Sequence, residues 1–122
     1  MRLLLDTHTF LWWDEGKLPA KVNARIRAAK TVHVSAASAW EISIKAALGK
    51  IQVRGSFAEA IADYGFDELP IRCAHAELLR ALPPLHRDPF DRMLIAQAIV
   101  EGMTLVTKDA AMKGYAVPMA WA

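Results

Sequence analysis

Apolar positions along the chain alternate between short unbroken runs and stretches with helical spacing. Leu3-Leu4-Leu5 is a continuous apolar run that suits a strand buried on both faces of a parallel sheet, and Thr7 to Trp13 behind it reads as helix. Pro19, at the first helical position, opens a second helix with Val22, Ile26 and Ala29 at spacings of four and three. Lys21, Arg25, Arg27 and Lys30 surround it as a solvated face. Thr31-Val32-His33-Val34 alternates and is rich in β-branched residues, so it predicts the second strand, with a helix from about Ser38 to Leu48 that Gly49 terminates. Ser56-x-x-Glu59 is a capping box ahead of Phe57, Ile61 and Tyr64, and Gly65 closes that helix. A short strand is predicted over Glu68 to Ile71, then a helical stripe of His75, Leu78, Leu79 and Leu82 that Pro83-Pro84 ends. After a loop from Leu85 to Asp88, Asp88-Pro89 opens the most apolar helix, which runs to about Glu101. Thr104-Leu105-Val106 is a further buried strand, Asp109 to Lys113 a short helix, and Val117 to Trp121 an edge strand. Strands alternating with helices predict an α/β domain with a mainly parallel sheet.

Composition narrows the class without naming a partner. The 122 residues are expected to fold as one domain, 1–122, because 54% are hydrophobic and 23% charged, enough apolar surface to offset chain entropy. A net charge of +2 is too small to act as a polybasic nucleic-acid footprint by itself. Cys73 is the single cysteine, which excludes an internal disulfide and a multi-cysteine zinc site, and it is expected to be a small buried residue. No secretory signal or membrane span is visible, so a cytoplasmic protein is the expectation.

The chemistry lies in the positions of four carboxylates. Asp6 follows the first strand, Glu41 lies just beyond the second, Asp109 follows a late strand, and Asp91 begins the long apolar helix. Strand C-termini of a parallel sheet share one edge, where α/β domains place ligand sites, so distant residues can converge there. Each acid also has a structural reading. Asp88-Pro89-Phe90-Asp91 looks like an N-cap, a proline at N1 and an acid at N3; Ser38-x-x-Glu41 matches a capping box; Glu41 with Lys45 is an i, i+4 pair. Clustered carboxylates repel unless a proton or cation neutralises them, and oxygen donors with open positions suit Mg²⁺ or Mn²⁺. Such an ion binds phosphate oxygens and activates water, which makes metal-dependent phosphodiester hydrolysis the reading of these residues.

The segments LLLDTHTFLWW, SAASAWEISIKAALGKI, LPPLHRDPFDRMLIAQAIVEG and LVTKD, in this order, resemble the PIN-domain ribonucleases, and among them the VapC-type toxins of toxin–antitoxin pairs. The resemblance implies a PIN-like α/β/α sandwich with a mainly parallel central sheet flanked by helices. It carries the metal-binding and catalytic role to Asp6 of DTH, Glu41 of WEI, Asp91 of DPFDR and Asp109 of TKD. Asp91 is preferred over Asp88 for the third position because the D-x-x-x-I-A-x-A spacing suits it and Asp88-Pro89 serves as the helix cap. Also implied are an RNA substrate cut to 5′-phosphate and 3′-hydroxyl ends, a cognate VapB-type antitoxin, and a homodimer; separately, an exposed apolar patch on the Phe57 or Leu78 helices is the candidate for either the antitoxin or the dimer interface. Met112, where relatives often carry an aromatic residue, and the Met119-Ala120-Trp121-Ala122 tail depart from the family pattern.

Five further residues are secondary candidates. Thr7 and Thr107 are read first as helix-start caps, with orientation of a carboxylate the alternative. His8 is read as a packing or hydrogen-bonding residue, with phosphate contact the alternative; Lys45 steers RNA or pairs with Glu41; Arg92 pairs with Asp88 or a phosphate. Trp12, Trp13 and Trp40 offer stacking faces for bases and are read first as core. Two other functions stay open: a catalytically silent RNA- or antitoxin-binding module, and a phosphatase with Asp6 as nucleophile, which His8 disfavours because that motif wants an acid two residues on.

Overall fold

The computed structural model describes residues 1–120; Trp121, the end of the predicted edge strand, lies outside them. Five strands, β1 (Arg2–Leu5), β2 (Thr31–Ser35), β3 (Asp67–Leu69), β4 (Thr104–Val106) and β5 (Met119–Ala120), form one sheet in the order β3-β2-β1-β4-β5. All four pairings are parallel, with Leu5 level with Val34 on one side and Val106 on the other. The C-terminal ends therefore share one edge, as expected. β3 begins and stops earlier than predicted, since Pro70 has no N–H to continue the ladder.

β1 is central, and Leu3, Leu4 and Leu5 are all fully buried. Successive strand side chains point to opposite faces, so the triplet splits between two cores. Leu3 and Leu5 join Phe10, Leu18, Val22, Ile26, Val34 and Ile61; Leu4 joins Ala37, Leu94, Ile95, Ala98, Leu105 and Tyr115. Each such leucine contributes roughly 1.5–3 kcal/mol of burial. The first core is closed by α1 (Thr7–Glu15), α2 (Ala20–Ala28) and α4 (Phe57–Asp63), and the second by α3 (Ala36–Ala47) and α6 (Pro89–Glu101).

Several boundaries follow local chemistry that spacing does not resolve. Pro19 is the N-cap of α2 and not its first helical residue. α3 begins at Ala36 because the Ser35 hydroxyl accepts from Ala37 N, so the predicted box at Ser38 is not the cap. Ser56 does cap α4, accepting from Glu59 N. The predicted stripe from His75 to Leu82 forms only α5 (Cys73–Leu78), which lies at the periphery; there Cys73 is exposed, contrary to expectation, and His75 is buried, held by Arg72 N and Glu101. Met112 closes a 3-10 turn, Ala110–Met112, and is buried in the second core.

α6 is buried over five successive residues, Leu94 to Ala98, and its one polar member there is satisfied. Gln97 accepts from Ser35 Oγ at 2.5 Å and donates to Pro70 O at 3.3 Å, tying α6 to the C-terminal ends of β2 and β3. The basic residues of α2 are solvated as predicted. Phe57 packs against the first core and Leu78 is half-buried, while exposed large apolar residues include Trp40 and Ile44 on α3 and Leu48 at its C-cap. Among the described residues no helix is long and apolar enough to cross a membrane.

Candidate active site

The end of β1 delivers Asp6 and Thr7 into the edge of the sheet, both nearly inaccessible. Asp6 caps α1: its Oδ1 accepts from Thr9 N at 2.8 Å, while its Oδ2 accepts from the Thr107 hydroxyl at 2.6 Å. Thr107 comes from the end of β4, and its Oγ1 also receives Asp109 N at 3.0 Å. A single threonine thus links the first and last of the four predicted acids. Carboxylate orientation, the secondary reading of Thr107, is what the structure contains.

Glu41 lies in the second turn of α3 and is buried. Its Oε1 accepts from the Thr7 hydroxyl at 2.7 Å, and because that proton is committed to the carboxylate, Ser38 Oγ, 2.9 Å from Thr7 Oγ1, donates to Thr7. Lys45 Nζ holds Oε2 at 2.8 Å, so the i, i+4 pair forms as read from the spacing. Thr7 is therefore not a cap; that task belongs to Asp6.

At the start of α6, Asp88 Oδ1 accepts from Phe90 N at 2.8 Å and Asp91 N at 3.2 Å, with Pro89 at the first helical position. This cap relieves Asp91 of any such duty. The Asp91 carboxyl is pushed up to about 6, first by desolvation and then by the negative charges of Asp88 and Asp6, with His86 partly offsetting them. Asp109 caps the 3-10 turn through Oδ1, which accepts from Ala111 N at 2.9 Å, leaving Oδ2 for the site.

His86 stands between these two acids, with Nε2 2.8 Å from Asp91 Oδ2 and 3.5 Å from Asp109 Oδ2. Spacing alone does not single it out; its only signal in the sequence is a histidine in the loop five residues before Asp91. Arg92 is a correction of another kind. Among the described residues its guanidinium does not pair with Asp88 but donates to Pro83 O, Leu79 O and Tyr115 Oη at 3.0, 3.2 and 3.3 Å. It fastens the loop that carries His86.

The aromatic candidates divide. Trp13 is half-buried against Tyr64 and Phe66, as read, and Trp40 is exposed with its ring 5.0 Å from Phe90, against the expectation of core. His8 is exposed, 5.9 Å from the half-buried Trp12 ring. Both line a cavity of about 480 Å³ together with Asp6, Lys108 and Asp109. Its lining combines two acids, a lysine and two aromatic rings.

A divalent cation fits the residues present. Side-chain polar atoms of His86, Asp91 and Asp109 all lie within 4.8 Å of one another, and Asp6 is close enough to raise the Asp91 carboxyl. The partially desolvated negative charge at Asp91 is what a cation would neutralise, and oxygen donors suit a hard ion. Glu41 is set apart from this group, its oxygens engaged by Thr7 and Lys45.

Comparison with known proteins agrees with this architecture. Ribonuclease VapC22 of Mycobacterium tuberculosis is 30% identical over 122 residues, covering 95% of this chain and 93% of the relative. Two solved structures share the fold: VapBC2 from Rickettsia felis bound to a fragment of promoter DNA, with TM-score 0.68, 17% identity and 98% of each chain covered. The second is a toxin–antitoxin complex from Klebsiella pneumoniae, with TM-score 0.64, 17% identity and 92% and 91% covered. A family model described as the PIN domain matches residues 3–118, and the chain belongs to that family.

Proposed function

We propose that this protein is a metal-dependent endoribonuclease, the toxin of a toxin–antitoxin pair, which hydrolyses RNA phosphodiester bonds and is neutralised by a cognate VapB-type antitoxin. The observation that carries the proposal is the convergence of Asp6, Asp91 and Asp109 on one sheet edge, with Asp91 pushed up to about 6 by desolvation and neighbouring charge. A relative named as a ribonuclease and a structural neighbour named as a toxin–antitoxin complex support the same reading. The proposal extends to a single domain over 1–122, a homodimer and a cytoplasmic setting.

Asp6, Asp91 and Asp109 would hold Mg²⁺ or Mn²⁺, with Glu41 completing the acidic set. A divalent ion there supplies Lewis acidity, lowering the pKa of a water and offsetting the charge that builds at phosphorus. The protein contributes orientation: Thr107 fixes the Asp6 carboxylate and Thr7 that of Glu41, so little reorganisation remains when substrate arrives. Lys45 limits the negative charge facing the RNA by pairing with Glu41. Lys108, at the cavity beside Asp6 and Asp109, supplies attraction for the backbone, and the His8 and Trp12 rings offer faces to a base.

Cleavage of end-labelled total RNA tests the reading, with wild type beside Asp91→Asn in Mg²⁺, Mn²⁺ and EDTA. Discrete products ending in 5′-phosphate and 3′-hydroxyl are expected from the wild type with metal only. Cutting that survives Asp91→Asn or EDTA would overturn the metal mechanism, and RNA or antitoxin binding by a folded wild type that never cuts would favour the silent module.

A further inference from the structure

We infer that His86 is a positioning residue of the metal centre: its Nε2–H holds one oxygen of Asp91, leaving the other for the cation, and it bridges towards Asp109. The inference rests on the metal-dependent reading above. Three buried or half-buried acids are each held by a neutral side-chain donor: Thr107 on Asp6 Oδ2, Thr7 on Glu41 Oε1, whose Oε2 also takes Lys45, and His86 on Asp91 Oδ2. The first two donors are hydroxyls next to the strand ends. Among the described residues no hydroxyl bonds to Asp91, and a loop histidine takes that part.

The direction of the bond follows from the other ring nitrogen. His86 Nδ1 accepts Arg87 N–H at 3.0 Å, so it carries no proton, and Nε2 bears the hydrogen that is donated to Asp91 Oδ2. A nitrogen that carries a proton has no lone pair for a metal, which separates positioning from ligation. Asp91 Oδ1 accepts no hydrogen bond among the described residues, since Asp88 already caps α6. The loop that delivers the ring is held at both levels: His86 N donates to Tyr115 Oη at 2.9 Å, and Arg92 binds the same oxygen and the carbonyls of Leu79 and Pro83. Tyr115 is itself buried in the second core, so the ring position is referred back to the fold.

The test is Mn²⁺ binding without RNA, followed by the free-ion electron paramagnetic resonance signal, for wild type, His86→Ala and His86→Gln. Loss of an outer-shell partner of a metal ligand lowers affinity about 10–100-fold. His86→Ala is expected to weaken Mn²⁺ binding at least about tenfold, and His86→Gln, whose amide N–H reaches a similar point, to recover most of it. Electron spin echo spectra of the wild-type Mn²⁺ complex should show no imidazole nitrogen coupling that disappears in His86→Gln. Such a coupling would make His86 a ligand and overturn the inference, as would unchanged or tighter binding in His86→Ala, or a glutamine variant no better than alanine. If His86→Ala fails to fold, the spin echo comparison and the glutamine affinity decide alone. A wild type that binds no Mn²⁺ would remove the metal-dependent function together with this role, whereas normal wild-type binding indifferent to His86 would remove this role only.

Discussion

Asp91→Asn should make the metal-free protein more stable at neutral pH while abolishing its activity. The Asp91 carboxyl has an ordinary value of 3.8 and is held at about 6 in the fold, first by desolvation and then by Asp88 and Asp6. Two units correspond to about 3 kcal/mol of cost to the ionised folded form. Water reaches the rim, where the Asp91 side chain is 16% exposed, and screening reduces the net to about 1–2 kcal/mol. The folded carboxyl binds its proton more tightly than the unfolded one, so this cost is absent below 3.8, grows as pH rises through the window, and is complete above about 6. Asparagine keeps an oxygen for His86 and removes the charge. Urea denaturation in EDTA should therefore show the variant about 1–2 kcal/mol more stable at pH 7.5, with the difference nearly gone at pH 4. Saturating Mn²⁺ should reverse the order, since ion at a hundredfold excess over its Kd adds about 2.7 kcal/mol to the wild type alone. A variant less stable than wild type at pH 7.5 in EDTA, or a difference that ignores pH, would refute the reasoning.

The acids are not interchangeable, and other substitutions should show it. Asp6→Ala removes the α1 cap and the acceptor for Thr107, so it should lose about 1–2 kcal/mol of stability together with cleavage, in contrast to Asp91→Asn; melting curves in EDTA compare the two. Thr107→Val leaves Asp6 Oδ2 and Asp109 N without their partner and should lower both stability and cleavage rate, whereas Thr107→Ser keeps the hydroxyl and should retain both. Arg92→Met should cost about 1–3 kcal/mol in urea titrations, because it releases two carbonyls and Tyr115 Oη. Measured in an Asp91→Asn background, its RNA affinity should keep the same salt dependence; a slope smaller by about one would show Arg92 on a phosphate after all.

The parts of the fold legible in the sequence are those decided by local pattern. The Leu3-Leu4-Leu5 run, the Asp88-Pro89 cap and the alternation of strand with helix each announce themselves within a few residues, and together they place Asp6, Asp91 and Asp109 at one edge. Choices between equivalent neighbours were not legible. Ser35 and Ser38 are equally good caps on paper, and what separates them is that Ser38 is drawn into the Thr7–Glu41 contact from α1. Cys73 looked like a core residue, but α5 sits at the periphery and buries only His75. The partners of Arg92 are backbone carbonyls nine and thirteen residues earlier, whose orientation no spacing encodes. His86 escaped for the same reason: its place between two acids depends on how a loop folds against Tyr115.

The strand order also has a consequence for the time at which the site comes into being. β1 is made first yet sits in the middle of the sheet, and its neighbour β4 arrives about a hundred residues later. Until then Asp6 lacks the Thr107 hydroxyl, 101 positions away, and Asp91 lacks Asp109 and the Tyr115 anchor of His86. Contacts that span most of a chain form late and slowly. A chain that has yet to form β4 carries three of the four acids but not the arrangement that joins them. The proposed nuclease site thus comes into being only when β1 pairs with β4, which makes its assembly as late an event as the longest-range pairing in the sheet.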